Sequence, residues 1–420
     1  MASRKDSKGR KLNTGESQRT DGIYAYRYIN AQTGNREAVY SKDLKELRRK
    51  EKEVNADIDD HILTGPSVKD VTLNSLWEVY LYTKVLDDGT KANYKSLWNA
   101  HIRDTIGQLR ITDVRTSTIK MLYAKMDKEK YACSTLQSIH NLLNPLLELA
   151  VDDDYIRKNP ARSITIGDYG KKTKFKTAIS PIQQKRLLEF MQQSKMFSKH
   201  IPMMTIMLET SLRCGELIGL TYNDVDLKKK ELYVTHQLTY RNYQDGEGCK
   251  FRIKKTKTDA GKRTIPLTDA ACDAFRAIKL QNFQLGKICS VTIDGYTDFI
   301  FVTKHGRPMM PNGVNNALYN VVKYYNEYEL KKASEENREP VLIHQFSSHV
   351  MRHTGCTNMA RSGVNIKAAQ YIMGHAKSDV TLDVYNHLNN AFDAKLEIKK
   401  LEKNGTVSGT VNAKIKLIEN

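Results

Sequence analysis

Residues 349–385 read HVMRHTGCTNMARSGVNIKAAQYIMGHAKSDVTLDVY, and this stretch does most to decide the fold. On a predicted helix, the spacing of His349 and Arg352 places both side chains on one face, where both can contact one ligand. Gly374-His375 follows, and Tyr385 comes ten residues after His375. Because the chain contains 22 tyrosines, composition alone does not identify Tyr385 as a nucleophile.

The same region is rich in histidine, at positions 344, 349, 353, 375 and 387, which raises the question of a metal site. His349 and His353 have the spacing of a zinc-binding HExxH helix, but Val350 stands where that motif requires glutamate. No carboxylate or thiolate ligands accompany them in a recognisable spacing, so we expect no metal. The sequence also has no GxxxxGK[ST] phosphate loop and no GxGxxG fingerprint, so we expect no cofactor.

A second candidate site is an arginine at the end of an apolar helix. The run Thr210-Ser211-Leu212-Arg213-Cys214-Gly215-Glu216-Leu217 follows the apolar residues 206–208. A guanidinium in such a setting is costly unless it is paired, and Glu216 lies about one helical turn further on. The pair is either a buried ion pair with a structural role alone or part of an anion-binding site.

Residues 250–263, KFRIKKTKTDAGKR, carry seven basic groups and one aspartate. Segments with strand character flank them at 232–234 and 264–267, which predicts a β-hairpin with a basic tip. The candidates here for contact with an anionic partner are Lys254, Lys255, Lys257, Lys262 and Arg263.

Taken in order, these motifs resemble one family. The chain contains Arg213-x-Gly-Glu-Leu, then a lysine in a predicted hairpin, His349-x-x-Arg352-His-Thr, Gly-His375 and finally Tyr385. This order and these intervals resemble the tyrosine recombinases, and the likeness extends along the whole chain to integrases of conjugative transposons and temperate phages. The resemblance implies a DNA strand transferase that needs neither metal nor ATP, because the phosphodiester energy is kept in a protein–DNA bond.

The resemblance also implies a role for each residue. Arg213 and Arg352 would bind the non-bridging oxygens of a scissile phosphate and stabilise its transition state. Tyr385 would attack phosphorus, giving a 3′-phosphotyrosyl bond and a free 5′-hydroxyl. His349 would serve as acid or base and hydrogen-bond donor, and His375 would donate to the same phosphate.

Two further residues follow from the resemblance. Lys257 best matches the lysine that protonates the departing 5′-oxygen, although other lysines stand close by, at 254, 255 and 262. Glu216 would orient Arg213. One position departs from the family pattern: Gly355 stands where many relatives carry a large apolar residue. We expect this difference to affect how the local helix packs.

Length and charge agree with a multidomain protein that binds nucleic acid. The chain has 420 residues, enough for two or three domains, and a formal net charge of +19. No apolar run is long enough to span a membrane, and no secretory signal is evident at the N-terminus. Six scattered cysteines form no CxxC pair, which fits a reducing compartment, so we expect a cytoplasmic protein.

Changes of pattern along the chain predict five segments. Residues 1–20 look like a flexible basic arm, because they lack apolar periodicity. The predicted segments are a basic arm with a small α+β domain of three strands and a helix (1–63), an all-α domain of four helices (67–166), a basic linker (167–179), a mixed, mainly α domain with a small β-sheet (180–392) and a C-terminal tail (393–420).

The resemblance assigns DNA contacts to these segments. The first domain would bind arm-type sites, the helical domain and the catalytic domain would enclose core-type sites, and the tail would dock on a neighbouring protomer. Candidate phosphate contacts in the helical domain and the linker are Lys91, Lys95, Arg103, Lys174 and Lys176.

The expected function is therefore site-specific recombination that integrates and excises a mobile element, by a homotetramer on double-stranded DNA and through a Holliday junction. Expected partners are an excisionase and host DNA-bending proteins. One alternative is a chromosome-dimer resolvase, against which the extra N-terminal domain argues. A non-catalytic DNA-binding regulator is another, although it would not need the six-residue catalytic set. Cleavage that persists in EDTA would exclude a metal-dependent nuclease.

Overall fold

The structure, a computed structural model, describes residues 4–29, 35–59, 71–171, 177–255, 261–375, 381, 382 and 385. Two compact units divide the chain, Met1–Lys174 with Tyr243–Glu247, and Phe175–Asn242 with Gly248–Asn420. Lys174, Lys176, Lys257 and the predicted tail at 393–420 lie outside the described residues.

The first unit begins with a three-stranded antiparallel sheet and a helix, as the sequence predicts. The sheet order is β1 (Glu16–Gln18), β2 (Tyr24–Ile29) and β3 (Arg36–Ser41), and helix α1 (Leu44–Asp59) follows. Alternate tyrosines of β2, at 24, 26 and 28, are buried in one cluster with Leu44 and Leu47 of α1. The period-2 pattern of these tyrosines therefore marks the core face of the sheet.

Residues 4–20 are part of this folded domain, so the prediction of a flexible basic arm is wrong there. Leu12 is buried in the same cluster as the tyrosines of β2. Asp6 accepts a hydrogen bond from Arg10 Nε at 2.8 Å, and the buried Glu16 accepts one from Arg48 Nε at 2.9 Å. Because buried carboxylates hold these arginines, part of the positive charge is already balanced within the domain.

The rest of the first unit is helical, which confirms the predicted four-helix domain. Its α-helices are α2 (Leu73–Thr83), α3 (Asp88–Leu97), α4 (Thr116–Lys128) and α5 (Cys133–Asp152). Thr72 caps α2, with Oγ1 accepting from the Ser75 N–H at 3.2 Å. In the core, the Trp77 and Trp98 rings stack with centroids 4.5 Å apart. Beyond α5, the chain stays hydrogen-bonded to this domain as far as Lys171, whose N–H donates to the Tyr131 carbonyl at 2.9 Å.

The second unit is mainly helical with two small sheets, again as predicted. Ser180 caps its first helix through the Gln183 N–H, and Pro181 takes the first helical position. Its α-helices are α6 (Pro181–Gln193), α7 (Ile201–Thr210), α8 (Cys214–Gly219), α9 (Asp269–Gln284), α10 (Pro311–Glu335), α11 (Ser348–Arg361) and α12 (Ile366–Met373). Its strands are β4 (Val225–Asp226), β5 (Glu231–Val234), β6 (His236–Asn242), β7 (Cys249–Lys255) and β8 (Arg263–Pro266).

The strands pair in the orders β4-β5-β8 and β6-β7, all antiparallel. The β6-β7 hairpin reverses at residues 243–248, so the predicted basic tip at 250–263 is wrong. Most of those basic residues lie in β7 or at its end. Lys255 pairs with His236 at the start of β6, and Arg263 pairs with Val234 at the end of β5. The described residues on either side of the segment that contains Lys257 therefore pair with residues only two positions apart in the chain.

Candidate anion-binding active site

Arg213 stands at the sharp turn between α7 and α8. Helix α7 ends because Ser211 adopts the left-handed conformation, with φ of 51° and ψ of 31°. Arg213 is extended and precedes the first residue of α8. Since 40% of its side chain is exposed, the turn leaves N–H groups of the guanidinium accessible to a ligand.

Glu216 is the buried carboxylate around which the arginines assemble. Its Oε1 accepts from Arg213 Nη1 at 2.8 Å and from Arg263 Nη1 at 3.2 Å. Its Oε2 accepts from the Arg213 backbone N–H at 2.9 Å and from Arg263 Nη2 at 2.8 Å. Burial by itself would raise the pKa of Glu216, but Arg263 and then Arg213 lower it to about 2. The carboxylate is therefore ionised at neutral pH.

Arg352 of α11 reaches the same cluster, and only 3% of the residue is exposed. Its Nη1 lies 3.9 Å from Glu216 Oε2 and donates to the Ser211 carbonyl at 2.7 Å. Burial lowers the pKa of Arg352, and the charges of Arg213 and Arg263 contribute to bring it to about 9, so it stays charged at neutral pH. Three guanidiniums thus surround one carboxylate, and the excess positive charge attracts an anion.

The C-terminal end of α12 joins the three arginines. Three successive carbonyls each accept a hydrogen bond from a different arginine: Ile372 from Arg263 at 2.7 Å, Met373 from Arg352, and Gly374 from Arg213 at 2.9 Å. The last carbonyls of a helix have no partner within it and carry partial negative charge, so guanidiniums are suitable partners. Gly374 is left-handed, with φ of 61°, and ends the helix directly before His375.

His375 is held beside this cluster as a neutral imidazole. Its Nδ1 lies 2.9 Å from Thr381 Oγ1, and its backbone N–H donates to the Gln370 carbonyl at 3.2 Å. Burial lowers the pKa of His375, and nearby positive charges help to bring it to about 4; these belong to Arg352, Arg213, Arg263 and His349. His349 itself is exposed on α11, about one turn before Arg352, as the sequence spacing predicts.

Gly355, the position that departs from the family pattern, lies where α11 approaches α7 most closely. A Cβ at Gly355 would overlap both Ser211 Oγ and the Leu208 carbonyl oxygen. The glycine therefore lets Arg352, one turn earlier on α11, reach the Ser211 carbonyl. The departure concerns how tightly two helices pack and leaves the cluster intact.

Tyr385 lies in a small apolar cluster with Cys356, Met359 and Met373. Its hydroxyl donates to the Val364 carbonyl at 2.9 Å. Burial, together with the nearby Cys356, raises the pKa of Tyr385. The phenol is therefore protonated at neutral pH.

Arg263, one of the predicted DNA contacts, is buried within the protein. Its side chain has no exposed surface, and all of its contacts described above are with protein groups. The burial pattern of β8 shows Arg263 and Ile265 facing inward together. This alternation puts the arginine on the core face of the strand.

The other candidates for DNA contact that the structure describes differ in how exposed their side chains are. Arg103 is exposed and donates to its neighbour Asp104 through Nε at 3.0 Å. Lys91, Lys95 and Lys254 are half-buried, and Lys255 and Lys262 are exposed. Their contacts with DNA stay predictions.

Two general observations apply to the described part of the chain. No three His, Cys, Asp or Glu side chains come together there in a group that could hold a metal ion. Nor does any helix there have the length and apolar character needed to cross a membrane.

Comparison with known proteins decides the family. Residues 178–391 match the family model described as phage integrase family, and residues 1–58 match the DNA binding domain of Tn916 integrase. The chain belongs to the phage integrase family. It is thus a tyrosine recombinase, an enzyme that cleaves and rejoins DNA, with an N-terminal DNA-binding domain of the Tn916 integrase type.

Individual relatives support the same conclusion. The recombinase is 33% identical to the transposase from transposon Tn916 of Enterococcus faecalis, over 95% of this chain and 97% of the relative. The transposase from transposon Tn1545 of Streptococcus pneumoniae gives the same values. The solved Tn1549 transposon integrase in complex with transposon right end DNA is 31% identical, with a TM-score of 0.66, covering 79% of this chain and 100% of that one. These likenesses confirm the predicted family and fold class.

Proposed function

We propose that this recombinase integrates and excises a transposon by site-specific strand exchange. The observation that carries the proposal is the cluster of Arg213, Arg352 and Arg263 around Glu216 and the end of α12, with His375 beside it. The transposon origin of the relatives and the Tn916-type N-terminal domain favour a mobile element over a chromosome-dimer resolvase.

In the proposed chemistry, a DNA phosphodiester binds next to the arginine cluster, whose excess positive charge attracts it. Arg213 and Arg352 bind its non-bridging oxygens and stabilise the extra negative charge of the pentacoordinate transition state. Tyr385 Oη attacks phosphorus, forming the 3′-phosphotyrosyl bond while the bond to the 5′-oxygen breaks. His349 accepts the phenolic proton. A base is needed for this step because the raised pKa of Tyr385 keeps its hydroxyl protonated at neutral pH.

The departing 5′-oxygen needs a proton, and we assign its donor to Lys257. Lys254, Lys255 and Lys262 are the alternatives, since all of them flank the same segment. His375 is neutral, so it donates one hydrogen bond to the phosphate; if the Thr381 hydroxyl donates to Nδ1, the proton lies on Nε2. Reversal of the same steps with a new 5′-hydroxyl rejoins the strands.

The buried charges argue against a regulator that only binds DNA. Burying Arg352 and Arg263 is energetically expensive, and replacing buried ion pairs by apolar residues is often neutral or stabilising. A DNA-binding protein can take its affinity from exposed lysines and arginines. A cluster that fixes guanidiniums by multiple hydrogen bonds suits an enzyme, which needs donors positioned before the transition state forms.

Further parts of the proposal concern assembly and partners. Exchange of two duplexes requires four strand cleavages, so one tyrosine per protomer calls for a homotetramer and a Holliday junction intermediate. Residues 1–63 bind arm-type sites, residues 67–166 and 180–392 enclose core-type sites, and residues 393–420 dock on a neighbouring protomer. An excisionase and host DNA-bending proteins set the direction, and the reaction takes place in the cytoplasm.

The test is covalent trapping on a nicked substrate that carries the joined ends of the element. Cleavage next to the nick releases a short fragment and traps the protein on DNA, with or without excess EDTA. The wild-type protein and the Tyr319→Phe control, which alters an exposed tyrosine, should form the adduct, and Tyr385→Phe should not. An adduct formed by Tyr385→Phe, or cleavage abolished by EDTA, would overturn the proposal.

A further inference from the structure

Arg263 and Arg352 are both buried members of the arginine cluster, but only the Arg352 side chain keeps some exposed surface, at 4%. The Arg213 side chain is 40% exposed, whereas the Arg263 side chain has no exposed surface. A side chain without exposed surface cannot contact a DNA phosphate. Any influence of Arg263 on the reaction must therefore pass through the protein groups that it touches.

The main groups are Glu216 and the end of α12, and Arg263 Nη1 also donates to the Gly261 carbonyl at 3.3 Å. Arg263 binds both carboxylate oxygens of Glu216, through Nη1 at 3.2 Å and Nη2 at 2.8 Å. Its Nε donates to the Ile372 carbonyl at 2.7 Å. One planar guanidinium thereby connects β8 with α8 and with the helix end that precedes His375.

These contacts use the full hydrogen-bonding capacity of Glu216. An ionised carboxylate accepts about four hydrogen bonds. Arg263 supplies two, and the backbone N–H and Nη1 of Arg213 supply two more. Arg352 Nη1 lies 3.9 Å from Oε2, beyond hydrogen-bonding distance. With Arg263 present, the carboxylate has no acceptor site left for Arg352.

Without Arg263, two acceptor sites on a buried, charged carboxylate would have no donor. A buried carboxylate without donors is strongly unfavourable, and Arg352 is the adjacent cation. A small movement of Arg352 would let it donate to the acceptor sites of Glu216 that Arg263 had occupied. The charge of Arg352, which the proposed chemistry needs at the phosphate, would then be paired with Glu216. Loss of Arg263 would also loosen the end of α12 that precedes His375.

We propose that Arg263 is a positioning residue, which occupies Glu216 and fixes the end of α12 so that Arg352 stays available to the scissile phosphate. This inference rests on the proposed function, in which Arg352 binds that phosphate.

The chain offers a matched control elsewhere in the same unit. Arg338 binds Glu329 in a similar two-pronged way, through Nη1 at 2.6 Å and Nη2 at 3.1 Å, and Glu329 is also buried. Arg338→Met therefore removes a comparable arginine–glutamate pair outside the arginine cluster. It reports what loss of such a pair does through stability alone.

The experiment measures two quantities for the full-length protein and its variants: the dissociation constant for the uncleaved site and the rate of adduct formation on saturating nicked substrate. Arg263→Met should slow adduct formation by about 100-fold, a typical cost of misplacing a catalytic group, with affinity within about twofold of wild type. Arg263→Lys keeps the positive charge but lacks the planar, two-pronged guanidinium. Its rate of adduct formation should therefore lie between the rates of the wild-type protein and Arg263→Met. Arg338→Met should keep the wild-type rate.

Three outcomes would overturn the inference. An affinity loss with a shallower salt dependence would make Arg263 a phosphate contact after all. Wild-type rates in Arg263→Met would show that the arginine is dispensable, and equal slowing by Arg338→Met would show a stability effect only. If Arg263→Met does not fold, Arg263→Lys must show the same separation of rate and affinity. Failure of the proposed function is separate, since the wild-type protein would then form no Tyr385-dependent adduct.

Discussion

Replacement of Glu216 by glutamine tests how much the arginine cluster depends on its carboxylate. Glu216→Gln keeps the shape of the side chain but removes the negative charge that faces Arg213 and Arg263. The amide can still accept at one oxygen, but its NH2 group would point donors at the donors of a guanidinium. We expect a large loss of stability in the second unit.

The magnitude follows from the pKa of Glu216. Its value in the folded protein is about 2, against 4.5 for an unperturbed glutamate. At about 1.4 kcal/mol per pH unit, this difference contributes about 3 kcal/mol to the free energy of unfolding at neutral pH. Because the folded pKa is the lower one, the contribution is complete above pH 4.5 and is lost as the pH falls towards 2. At pH 3.5, about 1 kcal/mol of it should already be gone.

Site-resolved chemical denaturation can measure this loss in the full-length protein. Peroxide oxidises a methionine only when unfolding exposes it, so the extent of oxidation in increasing urea gives a local unfolding curve. Met207 and Met351, both fully buried, report the second unit. Met126, in the core of the helical domain, serves as an internal control that the substitution should not affect.

We therefore expect Glu216→Gln to lower the unfolding free energy seen at Met207 and Met351 by about 3 kcal/mol at pH 7 and by less at pH 3.5. The curve for Met126 should not change. A difference below about 0.5 kcal/mol at pH 7, the range of ordinary surface substitutions, would refute the electrostatic account of the cluster. So would a loss that is independent of pH between 7 and 3.5.

Three further predictions concern the site and its DNA. Gly355→Ala should destabilise the second unit by about 1–3 kcal/mol and slow adduct formation, because the new Cβ overlaps Ser211 and Leu208. Gly313→Ala, whose Cβ would meet only the Met309 methyl group at 4.0 Å, should be neutral in thermal melts and trapping assays. The free energy of unfolding of the wild-type protein should fall between pH 6.5 and pH 4, because His375 binds a proton in the unfolded chain but not in the folded one. In urea denaturation, His375→Gln should reduce this dependence on pH. DNA affinity in filter binding should fall steeply with salt, and affinity that persists at several hundred millimolar would contradict a basic binding surface.

Local sequence pattern was enough to predict much of the fold. Thr72 and Ser180 mark helix starts through short-range hydrogen bonds, and the alternating tyrosines of β2 mark a strand. His349 and Arg352 lie on one helix, as their spacing predicts. Each of these features depends on residues within a few positions of one another.

The features that could not be predicted depend on distant contacts. Arg263 looks like one more exposed cation in a basic run, but its carboxylate partner is 47 residues away in the chain. The binding of three arginines by the end of α12 joins residues separated by 21 to 161 positions. The basic N-terminal residues look like a loose arm, because pairing of Arg48 with Glu16 appears only when helix and strand pack together.

The central claim is that one particular tyrosine becomes linked to DNA beside the arginine cluster. The most direct measurement is mass spectrometry of the wild-type adduct after protease digestion and trimming of the DNA to a short nucleotide remnant. The chain has 22 tyrosines, and the prediction is that the remnant is attached to Tyr385 through a 3′-phosphate. A remnant on any other residue, or one attached through a 5′-phosphate, would contradict it.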